Sequence, residues 1–190
     1  MGACSLMAYE AIITLPGKRA MEHLAKNESI TLEQADRLRA VSGHTPEAFR
    51  QNAAGAIMTK QWHQAQHAQQ RYVSSVPRDS YGWLRLAFIL RAAKKMHRAA
   101  QALERSFTTG RYERELMLPR LVEAAVLWNT LTPSIRAYAL SDLMVLWGRE
   151  RRTLLHTLPI NQFWPLYRRA FFGTTDFKTV IALRSTSQTK

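Results

Sequence analysis

The chain has 190 residues, of which 46% are hydrophobic and 22% are charged, a composition that supports one ordinary folded domain and excludes intrinsic disorder. No apolar run reaches the roughly 18–20 residues needed to cross a bilayer, and a single cysteine, Cys4, excludes an internal disulfide framework and a multi-cysteine metal site. The 27 basic residues against 14 acidic ones give a net charge of +13, which predicts attraction to a nucleic acid, an anionic membrane surface or an acidic protein.

Residues 1–45 differ from the rest of the chain in charge, because their five basic and five acidic side chains cancel. We predict that they form one to three leading helices packed on the units that follow. Thr31, with Gln34 three residues later, has the spacing of a capping box at a helix start. The apolar stretch 1–15 is interrupted by Glu10 and lacks a basic start, so we expect no secretory signal there.

Residues 46–110 contain two segments in one 34-residue register, which begin at Pro46 and Ser80. Apolar residues recur at spacings of three and four throughout, which predicts helices and no sheet. Each segment has an aromatic residue, then a small residue four positions later and an alanine sixteen positions later. Small residues allow two antiparallel helices to approach closely, and the aromatic residue is expected to wedge between units. The shared positions are Phe49 and Trp83, Ala53 and Ala87, and Ala65 and Ala99.

This pattern resembles a tandem of tetratricopeptide repeats over about 65 of the 190 residues. The resemblance implies an all-α fold in which a short stack of antiparallel helical hairpins is flanked by capping helices. Two residues depart from the repeat, since Asn52 and Gln69 stand where bulky apolar side chains are expected. Gly110 stands near the position of the closing proline in the second unit. Another kind of helical-hairpin array is the alternative.

Beyond Arg111 the register is lost, and residues 111–172 are predicted to form a C-terminal helical pair and an aromatic segment. Pro119 is expected to open a helix that runs to Trp128. A longer helix is expected from about Ser134 to His156. Residues 173–190 are predicted to be a flexible tail.

Two short stretches of this C-terminal part resemble tails that follow tetratricopeptide units in some bacterial envelope- and polysaccharide-associated proteins. They are residues 128–136, in which Thr132 precedes Pro133 as a helix cap, and residues 143–147. The aromatic segment 163–172 has three interpretations: a cover for the last helix, an anchor for a partner, or a contact with a membrane interface.

The sequence contains no motif of catalysis. A Gly-x-Ser-x-Gly elbow, a Walker-type phosphate loop and a dinucleotide glycine pattern are all missing, so we predict a protein that is not an enzyme and needs no cofactor. His63 and His67 have the spacing of a zinc-binding helix, but glutamines rather than acidic residues surround them. We interpret them as solvated histidines, with no metal.

The resemblance implies a scaffold or adaptor that binds an acidic or amphipathic protein segment, as part of a larger, envelope-associated assembly. Its groove is formed by the first helix of each hairpin. The arginines would pair with acidic groups, and the apolar residues would supply contact area. The predicted groove residues are Arg50, Gln51, Tyr81, Leu84, Arg85, Phe88 and Arg91.

A second predicted surface consists of basic residues around one hairpin bend, namely Lys94, Lys95, Arg98 and Arg105. We call this set the basic ridge. We interpret it first as a solvated helix face and next as a docking surface for an acidic partner. Binding to a nucleic-acid backbone is the third interpretation, and it gives the alternative function, an RNA-backbone-binding helical protein or a subunit of a ribonucleoprotein. The predicted location is the cytoplasm, with peripheral attachment to the inner face of a membrane through residues 163–172 as a further prediction.

Overall fold

The computed structural model describes residues 46–188, so the helices predicted for residues 1–45 lie outside the described part of the chain. Between residues 46 and 188 the backbone forms eight α-helices, one 3₁₀ turn at Trp128–Thr130, and no strand. The all-α prediction is therefore confirmed. The helices are α1 (Pro46–Met58), α2 (Trp62–Ser75), α3 (Ser80–Ala92), α4 (Met96–Thr109), α5 (Arg114–Val126), α6 (Pro133–Thr157), α7 (Trp164–Phe171) and α8 (Phe177–Gln188).

The starts of the first five helices keep a common period. Helices α1 and α3 begin 34 residues apart, as do α2 and α4, and α5 begins another 34 residues after α3. The 34-residue spacing of helix starts therefore continues to α5, beyond Arg111, where the register of residue types ends. Pro119 does not open this helix but lies inside it. Leu116, in the first turn, is 1% exposed. Its burial stabilises a helix that begins at Arg114, although a proline inside a helix normally destabilises it.

The turns that follow α1 and α3 share one conformation. Lys60 and Lys94 occupy them with left-handed φ angles of 57° and 60°. In each turn the lysine N–H bonds to the carbonyl three residues back, and the next N–H bonds to the carbonyl five residues back, at 2.8–3.0 Å. This is a Schellman closure, which satisfies carbonyls left open at a helix end. The two lysines take a position that glycine usually fills.

Helices adjacent in sequence pack on each other, and α3 also contacts α5 while α4 contacts α6. The small residues of the sequence register, Ala53, Ala65, Ala87 and Ala99, are all 0% exposed, as close helix approach requires. The aromatic residues Phe49 and Trp83, predicted to wedge between units, are only half-buried. The Trp83 indole N–H donates to the carbonyl of Pro77 at 2.8 Å.

In the C-terminal part, α6 begins at Pro133, as predicted. The Thr132 hydroxyl makes no cap hydrogen bond and lies instead 3.1 Å from the Ser134 hydroxyl. Glu150 is non-helical, with φ −136° and ψ 36°, and marks a kink within α6. Helix α8 replaces the predicted flexible tail over its length, because the fully buried Val180 gives it a core contact.

The aromatic segment 163–172 lies partly in the core. Tyr167 and Phe171 are buried and pack against Trp147, with ring centroids 6.1 and 5.0 Å from that indole. These two residues act as cover for α6, which is the first of the three interpretations of the segment. No described helix is both long and apolar enough to cross a membrane.

Candidate functional site

Five of the predicted groove residues lie along α3 at helical spacing and share one degree of burial. All are half-buried, whereas most of the residues between them are buried in the core. Helix α3 therefore has one face in the core and a second face that is only partly covered. We call this second face the α3 stripe, which consists of Tyr81, Leu84, Arg85, Phe88 and Arg91.

The two ends of the α3 stripe are tied to α5. The Tyr81 hydroxyl donates to Glu115 Oε2 at 2.5 Å, and burial, followed by this hydrogen bond, raises the pKa of Tyr81. Arg91 Nε donates to Oε2 of the buried Glu123 at 2.8 Å. Both predicted residues thus have acidic partners inside the protein, and these contacts hold α3 against α5.

Arg85, in the middle of the stripe, has a different environment. Its guanidinium makes no hydrogen bond and no ion pair with any described residue. Burial lowers the pKa of Arg85, the nearby Asp79 opposes this shift, and the positive charge of Arg50 on α1 adds to it. Asp79 is itself engaged, since its Oδ2 accepts a 2.6 Å hydrogen bond from Tyr72. A partly desolvated guanidinium beside a second cation favours a carboxylate.

Apolar surface flanks Arg85 on the same stripe. Leu84 is half-buried and packs against the main core. Phe88 packs against a small cluster that includes Ile89, and its ring meets Trp62 edge-on with centroids 6.0 Å apart. On α1, Arg50 and Gln51 are exposed. The arrangement offers one poorly solvated cation between two apolar side chains.

The structure separates the four residues of the basic ridge by environment. Lys95 is half-buried, and its Nζ donates to Gln66 Oε1 on α2 at 2.6 Å. Lys94, Arg98 and Arg105 are exposed, and the two arginines lie seven residues apart on α4. Because seven residues span about two turns, they share a face of that helix.

A buried polar network, which the sequence does not indicate as a unit, joins α3, α4 and α5. Arg120 donates to the Ser106 hydroxyl at 2.9 Å, to the Ser106 carbonyl at 2.5 Å and to the Gly110 carbonyl at 2.6 Å. The Ser106 hydroxyl donates to the Ser80 carbonyl at 2.8 Å, and the Ser80 hydroxyl donates to Glu113 at 2.7 Å. Burial lowers the pKa of Arg120 to about 10. This network closes the end of α4 and stabilises the framework.

A second buried charge links α6 to the turn before α5. Asp142 is 1% exposed, and its Oδ1 accepts a 2.7 Å hydrogen bond from Arg111 Nη1. The Arg111 guanidinium lies 4.5 Å from the centroid of the Tyr138 ring. Burial raises the pKa of Asp142, and the Arg111 hydrogen bond opposes that rise.

The two histidines considered as metal ligands, His63 and His67, are exposed on α2. Across residues 46–188, no group of three or more His, Cys, Asp or Glu side chains is placed to hold a metal ion. Comparison with known proteins found no matching family model, no matching curated protein and no matching solved structure. The functional interpretation therefore depends on the chemistry of the chain's own residues.

Proposed function

We propose that the protein is a non-enzymatic scaffold that binds an acidic or amphipathic protein segment along α1 and the α3 stripe. The observation that carries this proposal is Arg85, a half-buried guanidinium with no hydrogen bond to the described residues, between Leu84 and Phe88. A carboxylate supplied by a partner would pair with this cation and offset its lost hydration.

The architecture that we propose for this scaffold is a tetratricopeptide-like stack of helical hairpins. Its support is the period of 34 residues between the starts of α1, α3 and α5, together with the matching turns at Lys60 and Lys94. The contact between α3 and α5 is of the kind expected where first helices of successive hairpins lie side by side. By this interpretation α5 is the first helix of a third unit.

The proposed partner segment would combine an acidic side chain with an apolar one. The acidic group pairs with Arg85 and, at the edge, with the exposed Arg50, while the apolar group packs on Leu84 and Phe88. Because Tyr81 and Arg91 already have acidic partners on α5, they frame the ends of the surface. The small area predicts modest affinity, consistent with a subunit of a larger envelope-associated assembly.

We propose a cytoplasmic location for the scaffold. A chain with one cysteine has no internal disulfide, which is the usual condition of cytoplasmic proteins.

The alternative proposal is binding to a nucleic-acid backbone through the basic ridge. It is favoured by one observation, the exposure of Lys94 in the turn before α4 and of Arg98 and Arg105 along α4. A ridge of three free cations would give binding that falls with salt at a log–log slope of roughly 2–3, because each phosphate contact contributes roughly 0.7–0.9.

The test begins with capture of partners by the purified protein from native lysate, and the affinity of each captured partner is then measured against three variants. We expect Arg85→Gln to weaken a protein partner by about 10- to 100-fold, the loss of one charge-assisted pair. The matched control Arg98→Gln removes the same charge from an exposed site and should change affinity less than about threefold. Leu84→Asp with Phe88→Asp should abolish binding.

The two functions predict opposite results for the same variants. If Lys94→Gln with Arg98→Gln and Arg105→Gln abolishes binding while Arg85→Gln leaves it intact, the basic ridge is the binding surface and the scaffold proposal is wrong. Recovery of RNA in place of a defined protein would support the same conclusion.

A further inference from the structure

An open cleft is lined by residues of α7 and its C-terminal end, none of which belongs to the α3 stripe. It has a volume of about 420 Å³ and is lined by Trp164, Pro165, Arg168, Arg169 and Phe172. We call these five residues the aromatic cleft. All five come from the segment 163–172. The two residues of that segment that pack in the core, Tyr167 and Phe171, do not line the cleft.

The aromatic cleft has one exposed ring and one half-buried ring. Phe172 is 69% exposed, although one side of its ring meets Phe177 with centroids 5.5 Å apart. Trp164 is half-buried, stacks on Phe177 at 6.4 Å, and has the Arg184 guanidinium 4.2 Å from its ring centroid. The rings are therefore held in place by contacts on one side while Phe172 stays in water on the other.

Arginines lie beside these rings, in a part of the sequence that is basic overall. Residues 151–190 contain seven basic residues and a single acidic one, Asp176. Arg168 and Arg169 line the cleft itself and are both exposed. The Arg169 guanidinium also lies 5.5 Å from the ring centroid of Trp128, which holds it near the cleft. The cleft thus combines an exposed phenyl ring, an indole and two guanidinium groups.

We propose that the aromatic cleft docks on a membrane surface that is rich in anionic phospholipid. Phe172 enters the boundary between headgroups and acyl chains, Trp164 lies at headgroup level, and Arg168 and Arg169 bind lipid phosphates. A protein partner would need a pocket shaped for the exposed Phe172 ring, whereas a bilayer interface accepts a ring of any shape. This inference is independent of the scaffold proposal, which concerns different helices.

The experiment is cosedimentation of the full chain with vesicles of phosphatidylcholine alone and of phosphatidylcholine with phosphatidylglycerol. We expect binding to the anionic vesicles and little to the neutral ones. Each cation at a charged surface contributes about fivefold in partitioning, so Arg168→Gln with Arg169→Gln should weaken binding by about 25-fold. Phe172→Ser should weaken it by about tenfold or more, since a ring leaves the interface.

The charge-matched control is Arg98→Gln with Arg105→Gln, which removes two exposed cations from α4 that do not line the cleft. Equal losses from the two double variants would mean that any positive surface suffices, and would overturn the proposal. Absence of binding to anionic vesicles would also overturn it. If the protein binds poly-glutamate but not the anionic vesicles, the cleft is a site for an acidic protein instead. Circular dichroism and melting temperature confirm that each variant is folded.

Discussion

Replacement of Arg120 by alanine should destabilise the fold by about 3–5 kcal/mol. The side chain is 0% exposed and donates three hydrogen bonds, two of them to carbonyls at the end of α4. A bond from a charged donor contributes about 1.5–3 kcal/mol. The expected loss of stability is smaller than the sum of the three hydrogen-bond contributions, because the Ser106 and Gly110 carbonyls still accept from backbone N–H donors at 3.3 and 3.2 Å in the variant. The cavity left by the guanidinium and its stem adds to the loss.

Urea denaturation followed by far-ultraviolet circular dichroism gives the free energy of unfolding. Arg120→Met, which fills most of the volume without the hydrogen bonds, should recover part of the loss. The control Arg114→Ala removes an arginine from the same helix whose side chain is 60% exposed and paired with Glu150, and should cost less than about 1 kcal/mol. A value for Arg120→Ala that matches the control would refute the stabilising role of the network.

Three further predictions concern stability. Trp147→Ala, at a site 2% exposed, should cost about 3–5 kcal/mol of unfolding free energy, more than Trp83→Ala at its half-buried site; equal losses in urea would contradict this. Asp142→Asn should be as stable as the wild type or more so at pH 7, because burial raises the Asp142 pKa. The unfolding free energy of the wild type should rise relative to that of the variant as the pH falls from the raised pKa of the folded state towards the pKa of the unfolded state, since the folded state binds the proton more tightly there. A large loss of stability in Asp142→Asn at pH 7 would show that the Arg111 pair dominates. Gly110→Ala should lower the melting temperature, because its Cβ would lie 2.6 Å from the Ser80 hydroxyl, and an unchanged melting curve would mean that the network shifts freely.

The sequence predicts the helical part of the fold well where local patterns and packing agree. Starts near Pro46, Ser80 and Pro133 follow from register and from proline at a first helical position. The start of α5 could not be predicted in the same way, since Pro119 favours a helix start locally. Burial of Leu116 and the contact of α5 with α3 outweigh that preference, and neither is visible in a local window.

In the candidate site, too, local spacing was predictable and contacts between distant residues were not. Helical spacing was enough to place the α3 stripe on a face distinct from the core of α3. It could not show that Tyr81 and Arg91 find their partners on α5, since Glu115 and Glu123 are 34 and 32 residues away in sequence. For the same reason it could not show that Arg85 lacks such a partner among residues 46–188.

The packing of each helix mainly on its sequence neighbours has a consequence for folding and for local opening. Such contacts close only short loops, so residues 46–188 should fold without a slow long-range search. Local opening should be easier in α1 than in α3 to α5, because Ala56 of α1 belongs to a small cluster with Ala65 and Ile89 that is separate from the main core. In native-state hydrogen exchange, the α1 amides should then exchange by local opening while those of α3 to α5 wait for global unfolding. A ligand that bridges α1 and α3 would slow exchange in α1 first, which gives a residue-level signal of binding.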